Sequence, residues 1–201
     1  LTEKLCTTEQ TLYRRGNFMG TWDQVLVNSL REEHSADFAM SAGVRWGTSV
    51  PAGHDVTMED LMTNTSMTYG ETYVSELKGA QLKEILEGIA ENLFVQDPYL
   101  QSGGDMVRMG GMDYTIDPAA GLGDRISNMK DDDGTPIDPN KSYKVSGWAQ
   151  VGSVGNGRLM WDVAADYLRK QKHLNLTKVN HPTIKGVKNN PGIENYDGDL
   201  I

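Results

Sequence analysis

The sequence predicts an α+β domain, a mixed sheet with packed helices, layered and not doubly wound. Three observations carry this. Amphipathic helical stretches start near Thr21, Met58, Gly79 and Trp161, with apolar residues three and four apart. Short stretches of strand character lie between them, at Phe38–Met40, Thr72–Leu77, Met106–Ile116, Arg125–Lys130 and Tyr143–Ala149. Asp133-Gly134 marks a tight hairpin, and hairpins join antiparallel strands.

Taken in order, residues 1–16 have no long periodic pattern and are expected to be a connector. Cys6 reads as a small buried thiol, with no neighbouring base to activate it. Asn17 reads as turn chemistry. Thr21 is a candidate cap for the first helix, with Gln24 reaching back. Trp22, Val25, Leu26 and Leu30 fall on one stripe, while Asp23, Arg31, Glu32 and Glu33 lie largely off it. His34 stands at the helix end, where a cation is mildly favoured.

The Phe38–Met40 strand runs into a glycine-flanked loop holding Arg45 and Trp46, closed by Pro51, Ala52 and Gly53. A guanidinium between small residues suits gripping an oxyanion through two parallel hydrogen bonds; a surface salt bridge is the plainer use of such a residue. Trp46 either shields that site or packs on the domain. His54 and Asp55 lack a nucleophile on a strained turn, so they read as loop polarity. Thr57 caps a helix over Met58–Thr63, with Glu59 and Asp60 in its first turn.

Tyr73, Ser75 and Leu77 alternate with Thr72, Val74 and Glu76, as in a half-buried strand. Leu82, Ile85, Leu86, Ile89 and Leu93 make the inner face of the next helix. Asp131–Asp133 lacks the alternating frame and distant glutamate of a calcium loop, so it reads as a solvated turn. The loop from Gly152 to Gly157 is not a dinucleotide fingerprint, though its three glycines let backbone approach a ligand closely. Trp161, Ala164, Ala165 and Leu168 point a last helix inward. Residues 173–201, rich in Asn, Gly and Pro, are expected to be an irregular tail.

Bulk properties bound the function. The 201 residues suffice for one sizeable core. At 38% hydrophobic residues and a mean hydropathy of −0.50, the chain is expected to be a soluble globular domain, with no run long enough to span a bilayer. A net charge of −9 argues against nucleic acid. One cysteine excludes an internal disulfide framework. His34, His54, His173 and His181 are scattered, without metal-ligand spacing. The start at Leu1, without Met or a charged-then-apolar leader, is what an excised domain looks like.

Ordered motifs carry a family resemblance over about residues 11–171. DFAMSAGVR, PAG, a short helix, YG and a strand ending LKGAQLK come first. VRMGGMDYTID, RISNM and GTPIDPNKSYKVSGWA follow. In this order they resemble the C-terminal domain of the 5'-nucleotidase family. LYRRGNF, GGDMVRMGG and the WDVAADYL ending look most like its SoxB branch, the thiosulfohydrolases of the periplasmic sulfur-oxidation pathway.

The resemblance implies a domain over 17–172 that closes on a separate N-terminal metallophosphatase domain. Two divalent metals, manganese by the same implication, lie in that other domain and none in this one. Arg45 matches the residue that holds the substrate's anionic group. Tyr69 and Trp148 match two aromatics, commonly Phe, that sandwich a nucleobase. Glu71 stands where an amide often does, a departure that favours the SoxB branch. That branch implies a partner, a SoxYZ-like sulfur-carrier protein whose C-terminal arm enters a channel. Arg45, Trp46, Tyr69, Glu71 and Trp148 would line the channel, with Gly155 and Asn156 on its other wall. A nucleotidase and a non-catalytic anion-binding domain remain as alternatives. By itself the chain is expected to be inactive.

Overall fold

The computed structural model describes residues 1–14, 18–44, 46–150 and 155–186. Arg45, Asn17, residues 152–154 of the glycine-rich loop and the tail from 187 onward therefore lie outside the described residues. Along the chain the elements are β1 (Lys4–Thr8), α1 (Thr21–His34), β2 (Phe38–Ser41), β3 (Asp55–Thr57), α2 (Met58–Thr65), β4 (Thr72–Lys78) and α3 (Gly79–Phe94). Then come β5 (Arg108–Gly110), β6 (Met112–Ile116), β7 (Ile126–Asp131), β8 (Ser142–Trp148), α4 (Met160–Gln171), β9 (His173–Leu174) and β10 (Thr183–Ile184).

A central sheet of order β4-β8-β2-β5 organises the domain. β2 and β8 run parallel, from Phe38↔Val145 to Met40↔Gly147. β4 is antiparallel to β8 along its whole length, Thr72↔Trp148 to Lys78↔Ser142, and β5 is antiparallel to β2. Successive side chains in a strand point to opposite faces, and this divides two cores. Ala39 and Trp148 join Trp22, Leu26 and Leu30 of α1 and Ala164 and Leu168 of α4 on one side. Phe38, Met40, Tyr143 and Val145 join Leu82, Leu86 and Ala90 of α3 and the β6–β7 side chains on the other. The predicted mixed, layered α+β arrangement is what forms.

The segment expected as a connector supplies β1, antiparallel to β3 and parallel to β9, with Leu5 and Cys6 in the first core. β9 and β10 come from the expected tail, and β10 pairs with β6. The described parts of both flanking segments thus supply strands to the sheets.

Local signals work where a side chain has no competing partner. Thr57 caps α2, its Oγ1 accepting from Asp60 N–H while Asp60 Oδ2 accepts from Thr57 N–H. At α1 the expected Thr21 cap is not used. Gly20 is the cap residue, and Asp23 Oδ2 accepts its N–H at 2.9 Å. The Thr21 hydroxyl instead holds the incoming chain, accepting from Tyr13 N–H and donating to the Thr11 carbonyl.

The strand predicted over Met106–Ile116 is two strands in two sheets. Gly111, at φ +82°, turns the chain out of the central sheet, and a Cβ there would press on the Arg31 guanidinium and the Asp37 carbonyl. α1 thus comes too close for any residue but glycine.

Candidate functional site

Because β2 and β8 are parallel while β4 and β5 oppose them, the ends of all four strands meet at one rim. The exits of β2 and β8 meet the approaches to β4 and β5 there. β2 leads to Ala42–Thr48, the segment that includes Arg45. β8 leads to Ala149 and, past the undescribed residues, to Gly155–Leu159. Tyr69–Glu71 precede β4, and residues 95–107 precede β5.

Backbone hydrogen bonds lock two of these loops together. Ala149 N–H donates to the Tyr69 carbonyl at 3.2 Å, Thr72 N–H to Arg158 O at 2.9 Å, Gly157 N–H to Thr72 O at 2.9 Å and Met160 N–H to Gly70 O at 2.8 Å. Glu71 forms an isolated bridge with Leu159. A Cβ on Gly155 would lie 2.6 Å from the Thr72 carbonyl oxygen, so only glycine fits. Trp161, expected to point inward, is only partly buried, and its ring covers Gly70. Tyr69 and Ala149 both take positive φ, +63° and +57°. Left-handed backbone at non-glycine residues costs ~1–3 kcal/mol each and clusters at functional sites.

Of the predicted site residues, Trp46 and Tyr69 reach solvent, 50% and 38% exposed. Asn156 is exposed, and Gly155 and Glu71 are half-buried. All five flank the same rim. Trp148 differs. It is 2% exposed, packed in the first core, and its indole N–H donates to Ser41 Oγ at 2.8 Å. It fastens the end of β8 to the end of β2 and offers no free face, so the expected pair of open, opposed rings does not form with Tyr69. A feature the motifs did not indicate is Tyr99, 96% exposed beside exposed Leu100 in the loop before β5.

Beneath the rim lies a buried ionic cluster that the periodic reading missed. Asp23, expected off the buried stripe, is fully buried. Its Oδ1 accepts from Arg14 Nε at 3.1 Å and its Oδ2 from Arg108 Nε at 3.3 Å, with both arginine side chains wholly buried. Arg14 also donates to the Ala42 carbonyl at 2.9 Å and to the Asn64 carbonyl. Arg108 donates to Met106 O and to Asp105 Oδ2, each at 3.0 Å. Burial pushes the Asp23 carboxyl upward, against the pull of the two guanidiniums and of Gly20 N–H.

Other candidates are accounted for locally. The buried Cys6 thiol is pushed up to about 11 by burial, which leaves it unreactive. His54 Nδ1 lies 3.1 Å from the Ala52 carbonyl and Asp55 pairs with Lys4. Among the described residues no group of three or more His, Cys, Asp or Glu side chains could hold a metal ion. Nor is any described helix long and apolar enough to cross a membrane.

The family model of the 5'-nucleotidase C-terminal domain matches residues 6–164. Among solved structures, the sulfate thiohydrolase SoxB of Thermus thermophilus in complex with glycerol is 34% identical, with a TM-score of 0.84 over 94% of this chain and 36% of its own. A 5'-nucleotidase precursor, also from Thermus thermophilus, is 16% identical (TM-score 0.71, 92% of this chain and 40% of that one). The NAD nucleotidase of Haemophilus influenzae is 17% identical (TM-score 0.70, 91% and 38%). The last two speak for the fold alone. The chain spans 36 to 40% of the length of these three proteins. No curated protein sequence matches it.

Proposed function

We propose a substrate-binding role in thiosulfate oxidation from one premise: this chain belongs to the 5'-nucleotidase family, as its C-terminal domain. Its parent is a hydrolase of the SoxB type. Water takes the sulfonate group from a cysteine S-thiosulfonate on a carrier protein, a SoxYZ-like partner, releasing sulfate and leaving the bridging sulfur on the carrier. The observation that carries this reading is 34% identity to a SoxB over 94% of the chain, against 16% and 17% to the two nucleotidases. Glu71, a carboxylate where the family often has an amide for a nucleobase, supports it.

In this reading the domain binds and orients while the chemistry belongs to the metallophosphatase part of the parent, in the periplasm. That part would hold the two divalent metals, manganese in our proposal, whose chemistry there would be to activate water and polarise the sulfonate. Arg45 grips the sulfonate oxygens and stabilises charge as it develops. Trp46 and Tyr69 offer the exposed ring faces of the rim, flanked by Glu71, and Gly155 and Asn156 form the opposite wall of a channel for a narrow peptide. Trp148 contributes from behind by holding the ends of β8 and β2 together.

The test is the full-length parent with manganese, assayed for sulfate from a thiosulfonate-loaded carrier and for phosphate from AMP. Sulfate release with little phosphate supports the reading. Efficient AMP hydrolysis without sulfate release overturns it in favour of a nucleotidase, the reading the family match itself leaves open. If neither product forms while inorganic sulfate still binds, the chain is a non-catalytic anion-binding domain. The isolated chain with manganese releases neither product.

A further inference from the structure

We propose that Arg14, Asp23 and Arg108 are positioning residues for the anion-gripping loop. One buried carboxylate holds two buried guanidiniums, and these hold the backbone at both shoulders of the segment that bears Arg45. The inference rests on the reading of Arg45 as the anion-binding group.

On the first shoulder, Arg14 Nη2 donates to the Ala42 carbonyl, three residues before Arg45. Gly43 follows, packed so tightly that a Cβ would collide with the Met106 carbonyl oxygen. That same oxygen accepts from Arg108 Nη1. On the second shoulder, a Cβ at Gly47 would collide with Asn64 Oδ1, and Asn64 Nδ2 donates to the Thr48 carbonyl at 3.3 Å. The Asn64 backbone carbonyl accepts from Arg14 Nη1. Both shoulders thus converge on the Arg14 guanidinium. Asp23 fixes its plane through Nε and, through Arg108, the neighbouring Met106.

A stability role alone does not account for this arrangement. Buried ion clusters are often replaceable by apolar residues without loss of stability, yet here three charged side chains are buried under the one rim that carries the candidate site. Five fixed donors in a planar fork suit the simultaneous grip on Asp23, Ala42 and Asn64, which a lysine ammonium on a flexible stem cannot reproduce.

The experiment uses the full-length protein. Arg14→Lys retains the charge and loses the fork; Asp105→Asn, at the partly exposed end of the cluster, is isosteric and loosens Arg108. Each is compared with Arg45→Ala and combined with it. The readouts are kcat/KM for sulfate release from the thiosulfonate-loaded carrier, the inhibition constant of inorganic sulfate, and the melting curve.

A small displacement at a reacting centre can cost up to 10²-fold. We therefore expect Arg14→Lys and Asp105→Asn to lower kcat/KM by about 10- to 100-fold and to weaken sulfate inhibition at temperatures where both are folded. On the Arg45→Ala background neither should cause further loss, because they act through the same group.

If the folded variants retain wild-type kcat/KM and sulfate inhibition while Arg45→Ala loses both, the positioning role is wrong and the site reading stands. Losses that multiply with that of Arg45→Ala also refute it. If Arg45→Ala itself changes nothing, the anion-grip reading falls and this inference with it. Should Arg14→Lys fail to fold, Asp105→Asn decides. With a nucleotidase parent, the same comparison runs on AMP and inorganic phosphate.

Discussion

Asp23→Asn is the substitution whose cost follows most directly from the geometry. The new amide occupies the carboxylate's volume and keeps one oxygen, which can still accept from Gly20 N–H. Its other atom is now a donor facing a guanidinium N–H, and the negative charge that balanced Arg14 and Arg108 is gone. Breaking a buried ion pair by removing one partner costs ~3–5 kcal/mol, because the remaining charge stays buried. For a domain of this length each kcal/mol moves the melting temperature by ~2–4 °C, so a drop of about 6 to 20 °C is expected. Urea unfolding followed by far-UV circular dichroism measures the loss directly, with the midpoint lowered and the slope unchanged. Arg14→Met should cost less, since Asp23 keeps Arg108 as a partner. The double substitution should cost less than the sum. A loss for Asp23→Asn below ~1 kcal/mol, the scale of an exposed pair such as Lys4–Asp55, would refute the argument that this carboxylate balances two buried cations.

Three further outcomes are expected. Gly155→Ala forces a methyl against the Thr72 carbonyl; it should raise KM several-fold in steady-state assays of the parent and lower the melting temperature as well, because the backbone at the start of β4 must shift. Trp148→Phe replaces the indole with a smaller ring and deletes the hydrogen bond to Ser41 Oγ, so by the same urea titration it should cost more than the ~0.5–1.5 kcal/mol of the hydrogen bond alone. Stability should also decline on the acid side. Burial holds His34 and His181 below the ordinary histidine value, so the unfolded chain binds more protons than the folded one. The stabilisation from their neutral forms is complete above a pH of ~6.5 and is lost as pH falls through that value. His181 has a buried Nδ1 without a partner and lies near Arg108, whose charge disfavours its protonation. His181→Gln should therefore flatten the melting temperature measured between about pH 7 and 5.

Much of the fold is legible in the residues because helix and strand periods are local. The Thr57–Asp60 cap, the Tyr73–Leu77 alternation and the apolar face from Leu82 to Leu93 each need only their neighbours to be read. What is not legible depends on partners far along the chain. β1 and β9 are five and two residues long, too short for periodicity, and they meet across more than 160 positions, Thr7 against His173. The break at Gly111 is invisible because both flanks read as strand; the nearness of Arg31 on α1 is what demands it. Asp23 looks like any helix-surface acid until Arg14 and Arg108 are brought against it.

The site divides along the same line. Motif order brings Trp46, Tyr69, Glu71, Gly155 and Asn156 to attention, but their convergence comes from strand direction. Parallel β2 and β8 place their two exits side by side, at the end of the sheet where β4 and β5 begin. Trp148 shows what motif order cannot convey. An aromatic at a strand terminus reads the same whether it faces a ligand or the core, and here the Ser41 hydroxyl on the parallel neighbour turns it inward. Any stacking surface at this rim therefore rests on the two rings left in solvent, Trp46 and Tyr69, with Tyr99 exposed on the loop before the edge strand β5. A rim with one interior aromatic has fewer faces to clasp a flat base than a facing pair does.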